Sequence, residues 1–135
     1  APEEIFGVDC DLFSPCAAGA VVTDAVLAGL RCRAIVGAAN NPLASPEVGE
    51  ELHRRGVLYA PDFVVNAGGL LSVLFETGVL DEAGIVARVE RIGADLAVVL
   101  ERAQREGAPP FRVAEQVVAE QLAAARAAAP SATAV

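Results

Sequence analysis

Residues 34–60 read AIVGAANNPLASPEVGEELHRRGVLYA, and the succession of textures within them decides the fold. An almost wholly apolar run at 34–39 is stopped by Asn40-Asn41-Pro42. Ser45-Pro46-Glu47 then opens a helix: serine as cap, proline pre-set for the first helical position, and an acid near the positive end of the dipole. Arg54-Arg55-Gly56 closes that helix, and a second apolar run follows at 57–60. Strand, crossover helix and strand, with strands apolar on both faces, is the pattern of a parallel sheet covered on both sides.

Working outward, Val8, Cys10, Leu12 and Phe13 predict another buried strand over 8–13, ended by Ser14-Pro15. Thr23-Asp24 opens a short helix to Leu30. Beyond 57–60, Pro61-Asp62 leads through Phe63-Val64-Val65 and Asn66-Ala67-Gly68-Gly69 into an apolar helix ending near Gly78. From Asp81, the positions Ile85, Val89, Ile92, Leu96, Val99 and Ala103 repeat at three and four, which places one apolar stripe on a long helix stopped by Gly107. Pro109-Pro110 breaks the chain, a final helix runs from Arg112 to about Ala128, and 130–135 reads as a frayed tail. The expectation is an α/β fold: three parallel strands with a C-terminal helical extension, divided into residues 1–78 and 79–135. Ligands of such sheets bind beyond the carboxyl ends of the strands, so the informative segments are 14–18, 38–41 and 66–69.

The chain has 135 residues, 54% of them hydrophobic and 21% charged, with a formal net charge of -8. All its basic residues except one histidine are arginine, so chemistry needing a lysine ammonium has no group here. An acidic chain without basic clusters repels phosphate backbones, which excludes nucleic acid as an expected partner. No apolar run has the length of a membrane span, so no membrane is expected either. Cys10, Cys16 and Cys32 form an odd set without a C-x-x-C pair, arguing against a disulfide framework or zinc site and for a reducing cytoplasm. No G-x-G-x-x-G occurs, and a P-loop cannot exist without lysine.

Asn66-Ala67-Gly68-Gly69 precedes a helix whose free N–H groups suit a polar ligand, with two glycines permitting close approach; a tight strand-to-helix turn is the competing reading. Asn40-Asn41 offers donors and acceptors at another strand end, although Asn-Asn-Pro is also an ordinary turn sequence. Cys16 has no base placed beside it in sequence, and His53, next to Arg54 and Arg55, reads as a solvent-facing residue. Asp9 and Asp11 share a strand face and suit either a magnesium ion or the solvated start of the strand. No metal site is expected.

Three ordered blocks carry a resemblance: Cys10-Asp11-Leu12-Phe13-Ser14-Pro15-Cys16-Ala17-Ala18-Gly19-Ala20-Val21, Gly37-Ala38-Ala39-Asn40-Asn41-Pro42-Leu43, and Tyr59-Ala60-Pro61-Asp62-Phe63-Val64-Val65-Asn66-Ala67-Gly68-Gly69. Together they resemble the glutamate/leucine/phenylalanine/valine dehydrogenase family, and the third block looks like its leucine, valine and phenylalanine branch. The resemblance implies NAD-dependent oxidative deamination of an apolar L-amino acid to a 2-oxo acid and ammonia by a longer, homo-oligomeric enzyme. This chain then corresponds to the second half of a Rossmann-type sheet plus the C-terminal helices. The glycine-rich loop and the catalytic lysines and aspartate belong to an N-terminal part outside it, so the segment alone is expected to be inactive. By motif position, Ala17 lies against the cofactor's adenosine-side ribose, Asn41 reaches the nicotinamide end or the substrate carboxylate, and Asn66 holds the carboxamide. Leu70 and Val73 face the substrate side chain. A non-catalytic interaction module retaining a half dinucleotide-binding fold is the alternative.

Overall fold

The structure is a computed structural model that describes residues 2–128. After a 3-10 helix at Pro2–Gly7 come β1 (Leu12–Phe13), α1 (Asp24–Leu27), β2 (Ala34–Ile35), α2 (Pro46–Arg54), β3 (Leu58–Tyr59), α3 (Asp62–Val65), α4 (Gly68–Glu76), α5 (Glu82–Glu106) and α6 (Pro110–Ala128). The strands form one parallel sheet in the order β1-β2-β3, with Leu12 opposite Ala34 and Phe13 opposite Ile35, then Ala34 opposite Leu58 and Ile35 opposite Tyr59. A lone parallel bridge between Val22 and Leu43 ties the segments that follow β1 and β2. The expected α/β architecture of three parallel strands with C-terminal helices is what the chain adopts.

The strands are shorter than the apolar runs. Over 8–13 only Leu12 and Phe13 are ladder residues, because the preceding chain is coiled into the 3-10 helix and the Val8 N–H bonds back to the Ile5 carbonyl at 3.3 Å. Val8 is consequently exposed. Past Ile35, β2 continues to run beside β1 without forming regular pairs: the Val36 N–H donates to the Phe13 carbonyl and the Ala39 N–H to the Pro15 carbonyl. Gly37 permits this approach, since a Cβ there would stand 2.1 Å from the Pro15 oxygen.

Helix boundaries follow local cap chemistry. Thr23 caps α1 by accepting from the Val26 N–H, and Asp81 caps α5 by accepting from the Gly84 N–H. Gly107, with φ of 62° in the left-handed region, ends α5. Three boundaries depart from expectation. Helix α1 stops at Leu27 instead of Leu30, the last helix starts at Pro110, where proline fits the first turn, and Ser45 makes no side-chain cap bond in α2. The Ser45 hydroxyl, followed by the Glu47 backbone, lowers the pKa of the Glu47 carboxyl. The expected tail at 130–135 lies outside the described residues.

Two clusters hold the chain together. Val22, Leu27, Cys32, Ile35, Val48, Leu52, Tyr59 and Phe111 join the sheet, α1, α2 and the start of α6. Packing is close enough that a Cβ on Gly49 would meet the Phe111 ring at 2.7 Å. Val99, Ala103, Val113 and Ala114 lock α5 to α6, with Val64 of α3 against them. The apolar stripe of α5 is covered mainly over its second half: Val99 and Ala103 are buried, whereas Val89 is exposed.

Candidate functional site

The carboxyl ends of the three strands feed loops that the fold brings together. Ala20 donates its N–H to the Asn41 carbonyl at 2.7 Å, and Val22 to the Pro42 carbonyl at 2.9 Å, so the segment after β1 is laced to the segment after β2. A Cβ on Gly19 would stand 2.9 Å from the Asn40 carbonyl oxygen, which explains the glycine at this crossing. The segment after β3 joins through a pair of carboxamides. Asn66 Nδ2 donates to Asn40 Oδ1 at 2.6 Å and approaches the Ala39 carbonyl at 3.5 Å.

Asn41 sits on the rim with φ of 48°, a left-handed conformation that asparagine tolerates better than most residues. Its backbone N–H donates to Asp62 Oδ2 at 2.8 Å. Its side chain is exposed and makes no hydrogen bond among the described residues. Tyr59, the last residue of β3, is buried and donates its phenol to Asp62 Oδ1 at 2.7 Å. Burial, and then the hydrogen bond to Asp62, push the phenol well above its ordinary value, so Tyr59 stays protonated and remains a donor.

Of the five residues singled out from sequence, Ala17, Asn41 and Asn66 belong to this rim. Leu70 and Val73 stand on the outer face of α4, 69% and 48% exposed, one turn apart, while Leu71 between them is 8% exposed and faces the interior. The helix thus turns Leu71 inward and leaves Leu70 and Val73 as an exposed apolar face. A Cβ on Gly68 or Gly69 would meet nothing within 4 Å, so the two glycines leave the entry to α4 open. A cavity of about 890 Å³ lies elsewhere, between α3, α4, α5 and α6, and none of the five residues lines it.

The other sequence candidates disperse. Cys16 is exposed beside Ser14, 3.4 Å from its Oγ, and that contact, followed by the Ala38 backbone, lowers its pKa. His53 is remote from it, with Nε2 3.3 Å from the Gly107 carbonyl. Asp11 is almost wholly exposed and pairs loosely with Arg33 at 3.6 Å. Among the described residues no cluster of three or more histidine, cysteine or acidic side chains could hold a metal. Sequence reasoning passed over Tyr59 and Asp62 and, although the resemblance singled out Asn41, gave no role to Asn40. The available signal was a tyrosine ending an apolar strand, whose buried hydroxyl needs a partner, with an aspartate three residues on.

Residues 1–129 match the profile of the glutamate/leucine/phenylalanine/valine dehydrogenase family. The chain belongs to that family. It is 37% identical over 121 residues to the leucine dehydrogenase of Bacillus subtilis (strain 168), covering 90% of this chain and 33% of that enzyme. With the phenylalanine dehydrogenase of Thermoactinomyces intermedius it shares 42% identity over 113 residues, 84% of this chain and 31% of the relative. The crystal structure of L-tryptophan dehydrogenase from Nostoc punctiforme superposes with a TM-score of 0.87 at 32% identity, over 94% of this chain and 38% of that one. This dehydrogenase-family chain therefore spans about a third of the length of the curated relatives it matches. Among its described residues no helix is long and apolar enough to cross a membrane.

Proposed function

We propose that this chain forms the second half of the dinucleotide-binding domain, residues 1–78, and the C-terminal helices and tail, residues 79–135, of a cytoplasmic, homo-oligomeric NAD-dependent dehydrogenase of apolar L-amino acids. The observation that carries the reading is the Asn66–Asn40 carboxamide pair, 2.6 Å across, at the strand ends of a chain that belongs to an amino acid dehydrogenase family. The residues present fit one end of a dinucleotide. Asn41 offers a free carboxamide, Asn66 keeps its oxygen available because its nitrogen is held by Asn40, and Ala17, in the loop after β1, is exposed.

In this reading Ala17, Asn41 and Asn66 hold NAD, which supplies the two-electron acceptor for oxidising the amino acid. Asn66 orients the carboxamide, Asn41 reaches the same end or the substrate carboxylate, and Ala17 packs against the ribose. Positioning of this kind acts through near-attack geometry. Leu70 and Val73 line one wall of the side-chain pocket. An apolar wall without a neighbouring cation accepts leucine, valine or phenylalanine and rejects glutamate, whose carboxylate would be desolvated unpaired. General-base chemistry and the phosphate-cradling loop come from the N-terminal part of the enzyme, because the chain contains no lysine and no G-x-G-x-x-G.

The test is steady-state kinetics of the complete enzyme carrying this chain. NADH formation from leucine, valine or phenylalanine supports the reading; its absence with all three sinks it.

A further inference from the structure

Asp62 makes four hydrogen bonds, to three partner groups, at the end of β3. Its Oδ2 accepts from the Asn41 N–H at 2.8 Å and its Oδ1 from the Tyr59 phenol at 2.7 Å. Its own N–H donates back to the Tyr59 oxygen at 3.3 Å, and its carbonyl accepts from the Asn66 N–H at 2.8 Å. Both carboxylate oxygens are therefore engaged, and among the described residues no cation pairs with the group. A carboxylate so occupied is suited to hold geometry and poorly suited to shuttle protons.

What it holds is a strained turn. Asn41 at φ 48° has its N–H taken by Asp62 and its carbonyl taken by the Ala20 N–H at 2.7 Å, which leaves the side chain as its one free polar group. The bond to an ionised acceptor is the stronger of the two. Tyr59 anchors the carboxylate from the buried end, where its ring belongs to the main core cluster. The chain of contacts thus runs from the core, through Tyr59 and Asp62, to the rim.

We propose that Asp62 is a positioning residue: braced by Tyr59, it fixes the left-handed turn at Asn41 and so aims the Asn41 carboxamide at the bound cofactor or substrate. The role rests on the dehydrogenase reading, and two measurements separate their failures. In the cofactor-free complete enzyme, hydrogen exchange at the Asn41 amide should quicken about tenfold or more in Asp62→Ala, with exchange in the α5–α6 core unchanged. Asp62→Asn, which retains an acceptor oxygen, should restore part of the protection and also serves if the alanine variant does not fold. In kinetics, Asp62→Ala should lower kcat/KM roughly tenfold or more in the parent enzyme. In an Asn41→Gly background, where glycine keeps the turn but has no side chain to aim, the same change should cost no more than about twofold. Equal losses in both backgrounds, or unchanged exchange at Asn41 in Asp62→Ala, overturn the positioning role and leave the dehydrogenase reading standing. A parent enzyme that forms no NADH from any amino acid overturns both.

Discussion

Asn66 and Asn40, 26 residues apart in sequence, close on each other across 2.6 Å and join the loops that follow β3 and β2. The contact uses the Asn66 nitrogen and leaves its oxygen without a hydrogen bond among the described residues. Asn66→Ala and Asn41→Ala in the complete enzyme should each impair turnover or cofactor use by about tenfold or more, acting on near-attack geometry. His53→Ala, at the Gly107 carbonyl, should leave turnover unchanged. Steady-state kinetics with saturating amino acid check the ranking, and a larger loss in His53→Ala would reverse it.

Substrate preference should follow the outer face of α4. Leu70→Ala or Val73→Ala should shift relative kcat/KM toward bulkier side chains in graded fashion, because each methylene is worth only about 1–3 kcal/mol. Leu71, 8% exposed, should behave as a core residue, its alanine variant costing about 2–5 kcal/mol of stability without changing the substrate order. Rankings measured across leucine, valine and phenylalanine decide this. An altered order in Leu71→Ala, with none in the other two, would mean that α4 presents its opposite face.

Gly37→Ala should destabilise the chain by about 1–3 kcal/mol or more, since the new Cβ would overlap the Pro15 carbonyl oxygen at 2.1 Å and backbone must move on both sides. Gly68→Ala, with nothing within 4 Å, should not. Denaturant melts of the two variants side by side read the difference; equal midpoints would contradict the close approach of β1 and β2.

Acid should remove one surface contribution. Glu51 accepts from Arg54 at 2.7 and 2.6 Å and also from Arg55, and these contacts hold its carboxyl down to about 2. A depressed folded-state pKa stabilises above the unfolded value of about 4.3, and that stabilisation fades as pH falls toward the folded value. The Tm difference between the parent and Glu51→Gln should therefore be largest above about pH 4.5 and shrink toward pH 2. The pair is solvent-exposed enough that salt should reduce it too. A gap that widened on acidification would refute the assignment.

Features fixed by neighbouring residues were legible in the sequence. Asp81 and Gly107 bound α5 as their cap chemistry requires. Strand extent was not legible, because apolar content at 8–13 cannot reveal that the chain before it coils into a 3-10 helix. Nor was the hub at Asp62: the carboxylate meets an amide 21 residues earlier, a contact that exists only after β2 and β3 have aligned. For the same reason turn chemistry alone leaves Asn40 and Asn41 alike, yet one binds Asn66 and the other keeps its side chain free.

The most direct test compares NADH formation by the 135-residue chain alone with that of the complete enzyme, using leucine, valine, phenylalanine and glutamate. The complete enzyme should oxidise one or more of the three apolar amino acids and not glutamate, while the chain alone, lacking lysine and the glycine-rich loop, should form none. Turnover by the isolated chain, or a complete enzyme that prefers glutamate, would contradict the account.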